Sequence, residues 1–359
     1  MTQPPPNSPR QPRRGHGRPT LHDVAGLAAV TRITVSRYLN APGQVAPETA
    51  ARICAAIAAI GYVPNLQAGQ LASGRSKVVA ALIPSINNSI FAETIQALSE
   101  GLNNTGYELL LTCTAYDMTR EEAQLRALIG WAPAALVMTG RQHSQTTLRL
   151  MLAAQLAGTP VIEIWDDRHA DEAEPAFARI GFSHAEVGRA MARHLLQQGH
   201  RHLAYVHSPI PADFRAQERG DAFAAEAAAA GATLSLFRAG TGDPFDAGRE
   251  SLIYLLSSQS AVTMVTAVAF SNDNLACGAL LEAKRRGIDV PGALSLLGFG
   301  DFPIGRQLSP SLSTISPPRG EIGRAAAQAL LAALTTNSVT QGVSLPWVLL
   351  ERDSSARKI

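Results

Sequence analysis

Residues 32–40 read RITVSRYLN. Val35 and Leu39 lie four apart, the spacing of one helix face, and Arg32, Ile33, Ser36 and Arg37 are left on the other. A small core needs only the first face, so the second is free to meet something outside the chain. Working outward, Thr31 is placed to cap this helix, and Ala29-Val30 leaves room only for a tight turn. Before the turn, Thr20 and Asp23 give a capping-box signal for a helix in which Leu21, Val24, Ala25 and Ala28 recur at helical spacing. After it, Asn40, Pro42 and Gly43 break the chain, Pro47 reopens it, and Ile53, Ile57 and Ile60 stripe a third helix ending at Gly61. Three short helices with a tight turn between the first two predict a helix-turn-helix domain over residues 19–63. A helix about 10–12 Å across fits the major groove of B-DNA, where Arg donates two bonds to guanine and a small aliphatic side chain meets a thymine methyl. The hydroxyls of Thr31, Thr34 and Ser36 suit phosphate. The competing reading is a three-helix module whose polar face is solvated or holds a protein.

The charge distribution favours DNA. Residues 1–76 contain eight arginines, no lysine and two acids, a charge of +6 in a 359-residue chain whose net charge is +2, which leaves −4 on the rest. A basic head on an acidic body predicts that the head meets a polyanion and the body does not. The first 18 residues, rich in Pro, Arg and Gly, read as a disordered arm. Neither a signal-peptide core nor an apolar run of membrane-spanning length is present, and Cys54, Cys113 and Cys277 are too few and too scattered for a disulfide or zinc framework. These features predict a cytoplasmic protein without membrane contact, metal or cofactor.

The stretch LHDVAGLAAVTRITVSRYLNAPGQVAPETAARICAAIAAIGYVPN resembles the DNA-binding headpiece of the lactose/galactose repressor (LacI/GalR) family, including TVSR in the second helix and the closing GYxPN. The resemblance implies base readout by Arg32, Ile33 and Arg37, and backbone contacts from Thr31, Thr34 and Ser36, with Asn65 assigned to DNA beside them. Ala29 stands where the family usually has glycine. Residues 64–76, PNLQAGQLASGRS, are small and polar around a single large apolar residue, Leu71. The family's matching hinge becomes helical on operator DNA and wedges a leucine into the minor groove, a role that falls to Leu71. Gly69 makes such folding more dependent on DNA.

From Val78 onward, short apolar runs alternate with helix-length segments: VVAALIP, ELLLTCT, AALVMTG, PVIEIW, FARIGF, HLAYVH, TLSLFR, VTAVAF and LSLLGF. Such alternation predicts parallel α/β sheets covered by helices, repeated over roughly 78–177 and 178–298. A further strand, LSTIS, and a helix over 321–334 follow. The expected fold is α/β: a helix-turn-helix headpiece plus a two-lobed body over 77–350 that resembles periplasmic binding proteins and serves the family as effector and dimerisation domain. Residues 351–359 are expected to be a tail without a tetramer-forming heptad repeat.

Ligands of open α/β sheets sit at the carboxyl ends of strands. That rule selects Ser85 and Phe91, Arg141 and His143, Glu163 and Asp166, Asn272 and Asp273, and Asp301 as effector candidates. Asn272-Asp273 also suits a helix cap, and His143 a surface position. The family often carries Arg three residues before the glycine opening a second-lobe helix; here that residue is Gln217, with Arg215 and Arg219 near. Gly300 separates Asp301 from the preceding Gly-Phe pair, a second departure. These features, with RQHSQTTLRLM at 141–151 and AVTRITVSRYL in the headpiece, are similar to the gluconate-repressor branch. That similarity implies a sugar-acid effector whose carboxylate meets Arg141 or Arg215; a neutral sugar, or co-repression in place of induction, is the alternative.

Two other classes fare worse. GFGDFPIG at 298–305 has Pro303 at the third glycine of GxGxxG, and no nucleophile elbow, zincin or Walker pattern occurs, so an enzyme is not expected. A solute-binding receptor leaves the headpiece and hinge without a task. The sequence therefore predicts a homodimeric, effector-controlled repressor of double-stranded operator DNA.

Overall fold

The computed structural model describes residues 19–64, 76–86, 89–167, 176–258, 264–336 and 342–355. The arm, Asn65, Leu71 and nearly all of the hinge lie outside the described residues. The chain divides into two compact units, Met1–Gly74 and Arg75–Ile359.

The first unit holds helices α1 (Leu21–Leu27), α2 (Arg32–Asn40) and α3 (Pro47–Ile60). The capping box forms: Thr20 Oγ1 accepts from the Asp23 amide at 3.4 Å, and the Asp23 carboxylate accepts from the Thr20 amide at 2.8 Å. Thr31 caps α2, its hydroxyl accepting from the Thr34 amide at 3.2 Å. Val24, Ala28, Val35, Ile53 and Ala56 form the core, with Tyr62 closing it and Leu39 packed at its edge. Ala29 takes a left-handed φ of 49°, so the alanine costs about 1 kcal/mol relative to glycine there.

Among the described residues, the second unit contains two six-stranded sheets. The first lobe is built from β1 (Val78–Ile83), α4 (Ala92–Leu102), β2 (Glu108–Cys113), α5 (Met118–Gly130), β3 (Ala135–Thr139), α6 (Gln145–Leu156), β4 (Val161–Ile164) and β5 (Ala178–Gly181). The second contains α7 (His184–Gln197), β6 (His202–His207), α8 (Phe214–Ala229), β7 (Thr233–Arg238), α9 (Pro244–Ser257), β8 (Ala267–Phe270), α10 (Asp273–Arg285), β9 (Ser295–Phe299), α11 (Pro303–Gln307) and β10 (Ser313–Ser316). The chain then returns through α12 (Arg319–Thr336) and β11 (Val343–Ser344) to the first lobe, and ends in the second with β12 (Val348–Leu350). Sheet orders are β11-β5-β4-β3-β1-β2 and β12-β10-β9-β8-β6-β7, parallel except for β10 with β12.

All nine apolar runs form strands, but FARIGF belongs to the first sheet, where β5 pairs with β4, and not to the start of the second repeat. The lobe boundary is thus near 182, and the chain crosses between lobes three times. The expected tail is also corrected: residues 351–355 are built into the second lobe. Leu296 and Ser354 exchange bonds through the Ser354 carbonyl and hydroxyl, both at 2.7 Å, and Arg352 donates to the Leu312 carbonyl at 2.9 Å. Polar side chains here satisfy buried backbone, so burial does not show as hydrophobicity.

Among the described residues, three helix pairs approach at glycines. A Cβ on Gly248 would collide with the Leu275 carbonyl and one on Gly278 with the Phe245 carbonyl, so α9 and α10 touch backbone to backbone. Gly188 meets the Arg219 carbonyl between α7 and α8, and Gly323 the Thr94 carbonyl between α12 and α4. Gly278→Ala should cost about 1–3 kcal/mol by overpacking, measured as a fall in the urea midpoint at unchanged slope.

Candidate functional site

On the headpiece, α2 buries Val35 and presents the opposite face. Ile33 is 71% exposed, Thr31, Arg32 and Arg37 are exposed, and Thr34 and Ser36 are half-buried. Thr31 Oγ1 and Thr34 Oγ1 lie 2.9 Å apart at the helix start, where free amides also favour a phosphate. Asn40 folds back, donating to the Ser36 carbonyl at 2.8 Å. One continuous face therefore carries two guanidinium groups and an aliphatic tip.

In the second unit, the edges of the two lobes meet around an aromatic ladder: Phe91 to Trp165 at 5.2 Å, Trp165 to Phe182 at 5.9 Å, Phe182 to Phe299 at 6.4 Å. Beside it, Arg141 of the first lobe donates to Glu218 of the second at 2.8 Å and stands 3.5 Å from Asp166. Arg215 lies against Gly140 and Asp166; any side chain at Gly140 would collide with its guanidinium, so this glycine admits the contact. Burial pushes the Asp166 carboxyl up to about 7, against the pull of Arg215 and Arg141.

Helix spacing sorts the residues of α8. Arg215, Glu218 and Arg219, at i, i+3 and i+4, share one side of the helix; Arg215 and Glu218 reach Gly140 and Arg141 of the first lobe, while Arg219 lies on its own lobe. Gln217 is turned away, accepting from Arg238 at 3.1 Å and donating to Asp221 at 2.8 Å. The structure thus does not bring Gln217 to the site, and it places there a residue the sequence reading only noted, Arg219. This arginine stacks on Phe299, 3.8 Å from the ring centre, and donates to His184 Nδ1 at 2.9 Å and to the Ser271 carbonyl at 3.1 Å. Its Nε, the Ser271 hydroxyl and Trp165 Nε1 are buried and have no hydrogen-bond partner among the described residues. The Tyr205 hydroxyl faces the same guanidinium without an aligned hydrogen bond. The signal that could have found Arg219 was its shared face with Arg215.

Other candidates are engaged internally. The His143 side chain is fully buried, not at the surface. It lies 2.8 Å from Glu121 through Nδ1 and 3.1 Å from the Gly140 carbonyl through Nε2, with Glu163 at 3.5 Å. Burial opposes its charge, yet Glu121 and Glu163 lift it to about 9, so both ring nitrogens donate at neutral pH. Glu163 is also held by Arg179 at 2.6 Å. Asn272 caps α10, accepting from the Leu275 amide at 3.1 Å. Asp273 accepts from the Thr314 hydroxyl at 2.6 Å and the Phe302 amide at 2.8 Å; burial first of all raises its carboxyl to about 6. Asp301 is clamped by Arg352 and by Arg306, and although burial works against its charge they hold it below the usual carboxylate range. Ser85 is half-buried just beyond β1, and Phe91 is buried in the ladder.

The cleft constellation can thus offer guanidinium, hydroxyl and indole donors against aromatic faces, a set suited to an anionic polyhydroxylated ligand. A hollow of about 500 Å³ between α9 and α10, lined by Phe245, Arg249, Leu281 and Arg285 among others, shares no residue with it. Among the described residues no helix is long and apolar enough to cross a membrane, and no group of three His, Cys, Asp or Glu is placed to hold a metal.

Comparison with known proteins agrees with both halves of this description. Residues 20–65 match "Bacterial regulatory proteins, lacI family", and residues 192–355 match "Periplasmic binding protein-like domain". The chain is 36% identical over 354 residues to the HTH-type transcriptional regulator GntR of Pseudomonas aeruginosa, covering 95% of this chain and 97% of that one. It is 30% identical to GntR of Escherichia coli, over 90% of this chain and 94% of the other. The crystal structure of a LacI-family transcriptional regulator from Silicibacter pomeroyi superposes with a TM-score of 0.85 at 32% identity, covering 94% of this chain and 99% of that one. With an operator-reading headpiece and a ligand-responsive two-lobed body, and with relatives of this identity along nearly its whole length, the chain belongs to the lacI family of bacterial regulatory proteins.

Proposed function

We propose that this regulator is a homodimeric repressor of sugar-acid metabolism genes, released from its operator when a sugar acid such as gluconate or a ketogluconate enters the cleft between the lobes. The observation that carries the reading is the meeting of three guanidinium groups, Arg141, Arg215 and Arg219, with two paired carboxylates, Asp166 and Glu218, along the edge where the lobes face each other. The excess positive charge there favours an anion, and the neighbouring hydroxyl and indole donors favour a polyol chain. Similarity to regulators named GntR supports the same effector class.

DNA is read by Arg32, Ile33 and Arg37, with Thr31, Thr34, Ser36 and Asn65 on the backbone and Leu71 as the minor-groove wedge. Two headpieces on a two-fold operator require a dimer of bodies. Effector that prefers one arrangement of the lobes shifts the population away from the DNA-binding state by its difference in affinity. Fluorescence anisotropy on a selected operator tests this: millimolar gluconate or 2-ketogluconate should weaken operator binding at least tenfold, glucose should not. Tighter binding with the acid makes the protein co-repressed, and a response to glucose alone rejects the sugar acid.

A further inference from the structure

The geometry points to the Arg141–Glu218 ion pair as a latch that holds the lobes in the DNA-binding arrangement until an anionic effector breaks it. The inference rests on the effector-controlled reading above and adds to it a contact that the effector must displace.

The pair crosses from one lobe to the other. Arg141 lies just beyond β3 in the first lobe and Glu218 near the start of α8 in the second, and their side chains are 19% and 18% exposed. At 2.8 Å, and with most of both groups out of water, this pair is screened far less than exposed pairs within one helix, such as Arg324 with Glu321. Arg215 adds a second attraction across the lobes, from α8 to Asp166. Asp166 is the weaker partner for both arginines. Burial lifts its carboxyl to about 7, so near neutral pH it is only partly ionised, and it stands 3.5 Å from Arg141 where Glu218 stands at 2.8 Å.

The loop that carries Arg141 is fixed from behind. His143 donates to the Gly140 carbonyl at 3.1 Å from one ring nitrogen and to Glu121 at 2.8 Å from the other, and Gly140 has no side chain to block Arg215. Long side chains on a mobile loop lose their attraction to the entropy of being held; a fixed loop lowers that loss.

An anion in the cleft competes with this pair. A guanidinium grips a carboxylate best through two neighbouring N–H groups. On Arg141, Nη2 is taken by Glu218 and Nε faces Asp166. A sugar acid that takes this edge leaves Glu218 facing a second anion, and like charges at such range repel. Effector and latch therefore exclude each other, which gives the ligand the difference in contacts between two arrangements that a switch requires.

Operator affinity in the absence of effector tests the latch, read by anisotropy on the full-length protein. Arg141→Gln and Glu218→Gln should each weaken operator binding roughly 5- to 20-fold, and the double variant no more than either single one, because both remove the same contact. Gluconate then separates the two residues. Glu218→Gln should be released at a several-fold lower concentration than wild type and Arg141→Gln at a higher one, a divergence that a general loss of stability does not produce. If Glu218→Gln binds operator as tightly as wild type or tighter, or needs more gluconate for release, or if the single losses multiply in the double variant, the pair is not a latch. If gluconate releases none of the proteins, the sugar-acid reading fails, and the effector-free affinities still decide the latch.

Discussion

Replacing His143 by glutamine should cost about 3 kcal/mol of folding stability at pH 6 and very little near pH 10. The imidazole is buried between Glu121 and Glu163 and titrates at about 9 in the folded chain, against 6.5 for an unperturbed histidine. A raised folded pKa means the folded state holds the proton more tightly than the unfolded one. The stabilisation is therefore complete below about pH 6.5 and is lost as the pH rises through 9. Glutamine keeps a donor for Glu121 but has no charge to set against two carboxylates. Urea denaturation of both proteins from pH 6 to 10 measures the difference, and curves that stay parallel across that window would remove His143 as the source.

Arg37→Ala should weaken binding to the selected operator by roughly 10- to 100-fold, the loss of one bidentate base contact at about 1–3 kcal/mol. The side chain is exposed and its neighbour Val35 carries the packing, so the melting temperature should not move. Binding to scrambled DNA should fall far less, because phosphate contacts carry that affinity. Equal loss on both DNAs would place Arg37 on the backbone.

The headpiece was readable in sequence because its determinants are local. Thr20 and Asp23 are three residues apart, as are Thr31 and Thr34, and each pair forms the cap its spacing implies. The strands of the body were readable one by one, since an apolar run announces a buried strand. Which sheet a strand joins was not: FARIGF looks the same whether it closes one lobe or opens the next, and only the pairing of Ile164 with Ile180 decides. The cleft was half readable. Strand-end reasoning reached Arg141, and the family pattern around Gln217 reached Arg215, yet the strand ends also selected His143 and Glu163, which are satisfied by one another and by Glu121 and Arg179. Arg219 owes its environment to His184, Ser271 and Phe299, all remote in sequence. Such partners arise from topology, not from neighbouring letters.

The glycine contacts between helices bear on how a signal could cross the body. Helices that touch at Gly248, Gly278, Gly188 and Gly323 have carbonyls where side chains would otherwise act as cushions. Sliding one helix along its mate would drive backbone into backbone, so each lobe resists internal shear. Strain introduced at the cleft then has little to deform except the three strands of chain that join the lobes near 182, 317 and 346. A molecule with stiff blocks and three narrow joints converts a small ligand's push into rotation. Its sensitivity as a switch is set at those joints, the first of which, between Phe182 and His184, adjoins the aromatic ladder that borders the cleft.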